Sequence, residues 1–297
     1  MNESNKFKLS KEVKSWIAYD AGNSAFATTV LAAFFPLFFS SYWAGNVDEI
    51  TSTKYFTASL TVINLIILIG MPVIGALSDV KNLSKTFFSI FSFLGALFVV
   101  SFYFVGQNEW LMAMILYGIA LFCFSASIVL YDKILIYISS AQNVSKISGF
   151  GYAVGYLGGG ILFVLNAFMV MNPNFFGLAD NVAAIKWSFV TVGVWWGIFT
   201  LPLLLNYKQP LIDEGNLKDA FGQIYKTFID ITHQKNVVLF LIAFFLYIDG
   251  VHTVIFLASM FANGIGIGQE SIITALILVQ FVAVPATLIW SYVANSY

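Results

Sequence analysis

Apolar residues in this chain gather in eight nearly continuous runs separated by short polar stretches, rather than alternating at the period of a surface helix or strand. The runs cover residues 16–42, 55–77, 87–105, 110–131, 147–171, 185–205, 237–262 and 272–293. Each is near the roughly 20 residues that carry a helix across a bilayer. Backbone polar groups cannot stay unpaired in hydrocarbon, and runs this long and uniformly apolar do not read as barrel strands, so helices are the physical solution. The pattern predicts an all-α integral membrane protein with about eight transmembrane helices. Some fifteen mostly polar residues, 1–15, precede the first run, which lacks a small-residue cleavage site. It is too long for a signal-peptide core and reads as helix 1.

Composition agrees: 59% of the 297 residues are hydrophobic, only 10% are charged, and mean hydropathy is +0.85, where a soluble chain is roughly a quarter charged. A net charge of −1 exerts no general pull on nucleic acid. All the basic residues are lysines, and their placement sets orientation. The tail and the loops after helices 2, 4 and 6 hold four, two, two and four, whereas the loops after helices 1, 3, 5 and 7 hold one, none, one and none. The N-terminus is therefore expected in the cytoplasm. Trp43 and Trp110 fall at the outer boundaries, as interfacial aromatics should. Cys123, alone in an apolar run, excludes a disulfide framework or a thiolate zinc site and reads as a small core residue. No metal or cofactor is expected.

The longest connection, residues 206–236, separates a six-helix unit (1–205) from helices 7 and 8 (237–297). Within it Leu217, Phe221, Ile224, Phe228 and Ile231 recur at helical spacing, with Lys218, Lys226 and Asp230 between them. That spacing predicts an amphipathic segment on the inner membrane face, against a plain polar linker. Six helices, a long cytoplasmic linker and further helices is the plan of transporters built from two halves around a midplane site.

Three segments carry a specific likeness. SWIAYDAGNSAFATTVLAAFFPLFF (residues 15–39), GFGYAVGYLGGG (149–160) and YIDGVHTVI (247–255) resemble the autophagy-related vacuolar amino-acid effluxer family within the major facilitator superfamily. The resemblance implies a major facilitator-type helical bundle moving amino acids or similar small solutes by alternating access, with helices 1, 4, 5 and 7 framing the path. It also implies twelve helices, whereas this chain reaches Tyr297 just past the eighth, so a truncated or partial chain is expected, with 237–297 the first two helices of an incomplete C-terminal bundle. The ending VPATLIWSYVANSY looks like a second-half signature cut short, Ser291 and Asn295 standing at the spacing of Gly75 and Asp79. Between helices 2 and 3 the superfamily signature is partial. GALSDVKNLSK supplies Gly75, Asp79, Lys81 and Lys85 but lacks the second glycine.

Physically, Gly75 would let helices approach, and Asp79 could reach a helix end or a lysine across the bundle as a conformational latch. Ionisable and polar groups inside spans are the best pointers to a path. On helix 1, Asp20, Asn23, Ser24 and Thr28 fall within about 140° at 100° per residue, and on helix 7 Asp249, His252, Thr253 and Phe256 fall within about 100°. Both helices carry a Tyr-x-x-Gly, Tyr19 to Gly22 and Tyr247 to Gly250, a weak echo of an internal repeat. Asp249 lies about 18 Å into its span and Asp20 only about 6 Å. His252, one turn from Asp249, is placed to share a coupling proton with it, or the pair simply packs the bundle. Asn64 and Gln280 either line a cavity or bond across helices. Asp132 and Lys133 read as the inner membrane boundary.

Gly151, Gly155 and Gly159 repeat every four residues, the spacing that brings membrane helices into close contact. With Gly149 they do not make a phosphate loop, since no strand precedes them and no lysine follows. Enzymatic chemistry finds no metal cluster and no nucleophile with its base. A membrane-embedded enzyme, a channel or a nonfunctional truncated transporter are the alternatives. The partners expected are the lipid bilayer and a small-molecule solute, with a coupling proton and no nucleic acid. A plasma (inner) membrane is favoured over a vacuolar one, because no long soluble insertion is present.

Overall fold

The structure of the chain, a computed structural model, describes residues 9–80, 83–210, 222, 226 and 229–294. Eight helices long and apolar enough to cross a membrane account for nearly all of it: α1 (Lys11–Trp43), α2 (Glu49–Val80), α3 (Ser84–Phe104), α4 (Trp110–Ile138), α5 (Val144–Met171), α6 (Asn181–Asn206), α7 (Lys235–Gly264) and α8 (Gln269–Ala294). No strand occurs among the described residues. Every predicted run lies within one helix, to within a residue of its end, and most helices extend beyond the run. Polar residues at the ends still cap and continue a helix that the bilayer no longer requires. Ser10 Oγ accepts from the Val13 amide at 3.2 Å to start α1, and Asp180 Oδ1 accepts from the Ala183 amide at 2.8 Å to start α6. Helix α4 runs on to Ile138 because ILIYI keeps it apolar past Tyr131.

Helix α1 is irregular where it is most tightly held. Phe26–Phe34 and Phe39–Trp43 wind as π-helix around a short α-turn, Phe35–Phe38, that contains Pro36. Proline lacks the amide that an α-helical ladder would use, and wide turns accommodate that loss. Prolines also stand inside α2 (Pro72), α6 (Pro202) and α8 (Pro285).

Packing centres on α1, which meets α4, α5, α6 and α7, while α3 lies on α4 and α6, α2 on α4, and α8 on α5. The side of α1 facing the other helices is bolted by hydrogen bonds. Trp16 Nε1 donates to the Tyr131 carbonyl at 2.9 Å, Trp195 Nε1 to the Ala21 carbonyl at 2.9 Å, and Trp196 Nε1 to the Tyr19 hydroxyl at 3.2 Å. Tyr19 Oη also meets Ser127 Oγ at 3.0 Å and Ser92 Oγ at 3.2 Å. Hydrophobic burial drives little helix association in lipid, so hydrogen bonds and close packing carry it.

Trp43 does not sit at an interface. It is fully buried among Phe35, Phe38, Phe102 and Phe189, its ring 5.8 Å from and nearly parallel to that of Phe189. An aromatic at a span boundary can face the protein as readily as the headgroups, and sequence position does not distinguish them. Trp110 stacks on Tyr55 at 4.3 Å. Cys123 is a free, buried thiol whose Cβ lies beside Gly95. Of the amphipathic segment expected in the linker, all but Ile231 of its apolar residues lie outside the described residues, as does Asn295.

Candidate functional site

The polar stripe of α1 lies against the glycines of α5. A Cβ on Gly151 would stand 2.6 Å from the Trp16 ring, one on Gly155 2.6 Å from Ser24 Oγ and 3.1 Å from Asp20 Oδ2, and one on Gly159 2.9 Å from the Ser24 backbone carbonyl. The four-residue ladder on α5 thus meets the four-residue ladder Trp16, Asp20, Ser24 on α1, two helices running in the same direction. Glycine is needed here because only a missing side chain admits a neighbouring backbone this closely. A second set of small residues on α5 turns toward α8, with Gly149 beside Ser291 and Gly160 beside Gln280.

Asp20 is 7% exposed, and its carboxylate has no hydrogen-bond or ion-pair partner among the described residues. The charged group that acts on it is Asp132 of α4, which carries the same sign. Tyr131 stacks flat on Trp16 at 4.1 Å, and its hydroxyl, buried and unpartnered, feels both carboxylates. Asn23 is buried with its Nδ2 unpartnered, its Oδ1 receiving the Ser24 hydroxyl at 3.4 Å. Thr28 is buried one turn farther along.

The helix 7 stripe has the opposite setting. Asp249, His252 and Thr253 are exposed and line a crevice of about 510 Å³ between α7 and α2, whose other wall includes Thr57, Thr61 and Asn64. His252 stands edge-on to Phe256 at 5.9 Å. Gln280 is buried on α8, with its Oε1 unpartnered. The two stripes are therefore not one cluster: Asp20 lies against Gly155 of α5, and Asp249 opens on the crevice beside α2.

On the face carrying most of the lysines, Asp79 pairs with Lys133 of α4. Lys133 Nζ also donates to Ser84 Oγ at 2.7 Å and Ser78 Oγ at 3.0 Å, so one ammonium spans the end of α2, the start of α3 and α4. From sequence, Asp132 and Lys133 read as a membrane boundary. The available signal was a lysine closing an apolar run while the loop after helix 2 offers one carboxylate, Asp79. Lys85 turns elsewhere, its Nζ donating to the Tyr207 carbonyl at 2.7 Å and its amide to Gln209 Oε1 at 2.7 Å, beyond the end of α6. Lys81 lies outside the described residues. Among the described residues nothing approaches Gly75, where a Cβ would meet nothing within 4 Å. The spacing of Gly75 and Asp79 is a linear feature, and it does not say which face of α2 the glycine occupies.

Among the described residues no three histidines, cysteines or carboxylates gather to hold a metal ion. Eight apolar helices, packed about an α1 that carries the polar stripe, with a charged clasp at one end, define a multi-pass membrane protein of the major facilitator type. The profile of the family described as "Vacuole effluxer Atg22 like" matches residues 40–138 and 136–297, and the chain belongs to that family. It is 29% identical over 295 residues to "Uncharacterized MFS-type transporter YxiO" of Bacillus subtilis (strain 168), covering 98% of this chain and 69% of that relative. It is 28% identical over 169 residues to "Autophagy-related protein 22-1" of Penicillium rubens, covering 52% of this chain and 27% of the relative. A third relative, "Uncharacterized protein" of Aquifex aeolicus (strain VF5), is 27% identical over 223 residues, of which this chain spans 52% of the relative's length. No solved structure matches. Membership places the protein among membrane transporters.

Proposed function

We propose that this protein is a secondary active transporter that moves amino acids or similar small solutes by alternating access. Residues 1–205 act as one bundle, 206–236 as a cytoplasmic linker, and 237–297 as the opening of a second bundle. The observation that carries the reading is the polar stripe of α1, Asp20 to Thr28, held against the α5 glycine ladder with buried polar atoms left unsatisfied. A purely structural stripe would be hydrogen-bonded across helices, as Tyr19 is. Asp20, Asn23, Ser24 and Thr28 form one wall of the path. Asp249, His252 and Thr253 form another, with Asp249 and His252 exchanging the coupling proton. Gly151, Gly155 and Gly159 give α5 a smooth face on which α1 rocks. Asp79 and Lys133 latch one conformation, and Lys85 steadies the end of α6. On the lysine distribution the N-terminus lies on the cytoplasmic side, and a plasma (inner) membrane is favoured over a vacuolar one on the sequence pattern of short connections.

Counterflow of pooled labelled amino acids into proteoliposomes, with and without a pH gradient, tests the whole. Exchange that a pH gradient accelerates supports it, and a product of changed chemistry would point instead to an enzyme. Retained proton-driven uptake in Asp249→Asn removes Asp249 from the coupling role.

A further inference from the structure

We infer that the Asp20 cluster is a binding site for a primary ammonium group, with Asp20 as its counter-ion and the Tyr131 hydroxyl, which lies beside Gly151 one turn from Gly155 and Asp20, as its neutral partner. The ligand is the solute of the transport reading above, on which this assignment rests.

The cluster offers acceptors in excess. Asp20 is buried without a hydrogen bond, and the Tyr131 hydroxyl, on a side chain 4% exposed, finds no partner among the described residues, while the exposed Asp132 of α4 adds negative charge and no cation. A buried carboxylate with no cation beside it is costly in a medium of low dielectric, and an unpaired buried charge is far costlier than a paired one. The chain contains no arginine. Lys133, adjacent in sequence to Asp132, is already held by Asp79, Ser78 and Ser84. The missing partner must therefore come from outside the described helices.

An ammonium group fits this need. It carries three donors and no acceptor, the complement of a carboxylate and a phenol oxygen. The surroundings favour an organic cation over a metal ion, which would find no third ligand of its usual kind. Tyr152 and Tyr156 of α5 feel the charge of Asp20, and they lie on the arc of α5 between its α1-facing and α8-facing glycines. Gly155 is part of the site, since any side chain there would collide with Asp20 and Ser24. With no basic residue at hand, this cluster reads the ammonium end of a solute and ignores its carboxylate. A simple amine should then bind about as well as the parent amino acid.

The test uses three molecules on one skeleton: phenylalanine, phenethylamine, which lacks the carboxylate, and hydrocinnamate, which lacks the ammonium. Binding to the purified chain is read by displacement of labelled phenethylamine and by thermal shift. Phenethylamine and phenylalanine should bind, and hydrocinnamate should not. Asp20→Asn should weaken phenethylamine by about tenfold or more, as expected for loss of a charge-assisted contact. Should Asp20→Asn fail to insert, Tyr131→Phe keeps the test alive with an expected loss of about threefold to fivefold. Hydrocinnamate binding as tightly as phenethylamine, phenethylamine failing to bind, or both variants binding it unchanged overturns the assignment. Phenethylamine binding without any counterflow would sink the transport reading alone and leave the site standing.

Discussion

Helices α1 and α7 each carry a polar stripe, yet among the described residues they are enclosed to opposite extents. Of the eight spans α1 is the least apolar and the most enclosed, with 72% of its membrane window buried, whereas α7 is more apolar and none of its window is buried. The most apolar spans, α2 and α8, are likewise only 11% and 17% buried. In a soluble protein the oiliest helix would be the core. In a bilayer the lipid is as good a solvent for leucine as another helix is, so apolar surface gains little by being covered. Polar atoms gain a great deal, and the helix that carries them moves inside. The hydrogen bonds from Tyr19, Trp16, Trp195 and Trp196 are what enclose α1.

Substitutions can break or sharpen this contrast. The largest effect is expected for Trp196→Ala, which removes a fully buried ring packed on Phe26 and Phe124 together with its bond to Tyr19. It should cost about 3 kcal/mol of bundle stability, seen as a lowered midpoint in detergent unfolding. An unchanged midpoint would mean that α1 is not the hub. Next come paired glycine changes: Gly159→Val drives a side chain into the Ser24 backbone and should cost about 2 kcal/mol, while Gly250→Val on α7, where a Cβ meets nothing within 4 Å, should stay within about 0.5 kcal/mol. Equal losses at the two positions would erase the distinction between the helices.

Asp79→Asn should cost about 1 kcal/mol, because the carboxylate is more than half exposed and screened. Its sharper readout is labelling of cysteines introduced on the lysine-rich face, which should increase once Lys133 is released. Unchanged labelling would reduce the pair to a surface contact. A smaller loss than at Asp79 is expected for Tyr19→Phe, about 0.6 kcal/mol, typical of one interhelical hydrogen-bonding group in a membrane. A loss several times larger would show that the Ser92, Ser127 and Trp196 contacts act as one network.

Much of the fold is legible in residue order. Runs of apolar residues long enough to span a bilayer leave the backbone one solution, so helix number and placement follow from hydropathy alone. The polar stripe on α1 and the glycine ladder on α5 are also visible, because each is a periodicity within one helix. That the two ladders meet each other is not visible. Neither is the pairing of Asp79 with Lys133, which stand far apart in sequence, nor the burial of Trp43 beneath Phe35 and Phe102.

Depth along a span, the quantity residue counting supplies, ranked Asp249 above Asp20 as a buried carboxylate. Enclosure runs the other way, Asp20 lying packed under α5 while Asp249 opens on the crevice beside α2. By itself the sequence determined what must cross the membrane, since that is a one-dimensional contest between hydrocarbon and backbone polarity. Only the tertiary structure decided which polar groups are enclosed and with whom, because that depends on which faces of separate helices are brought together.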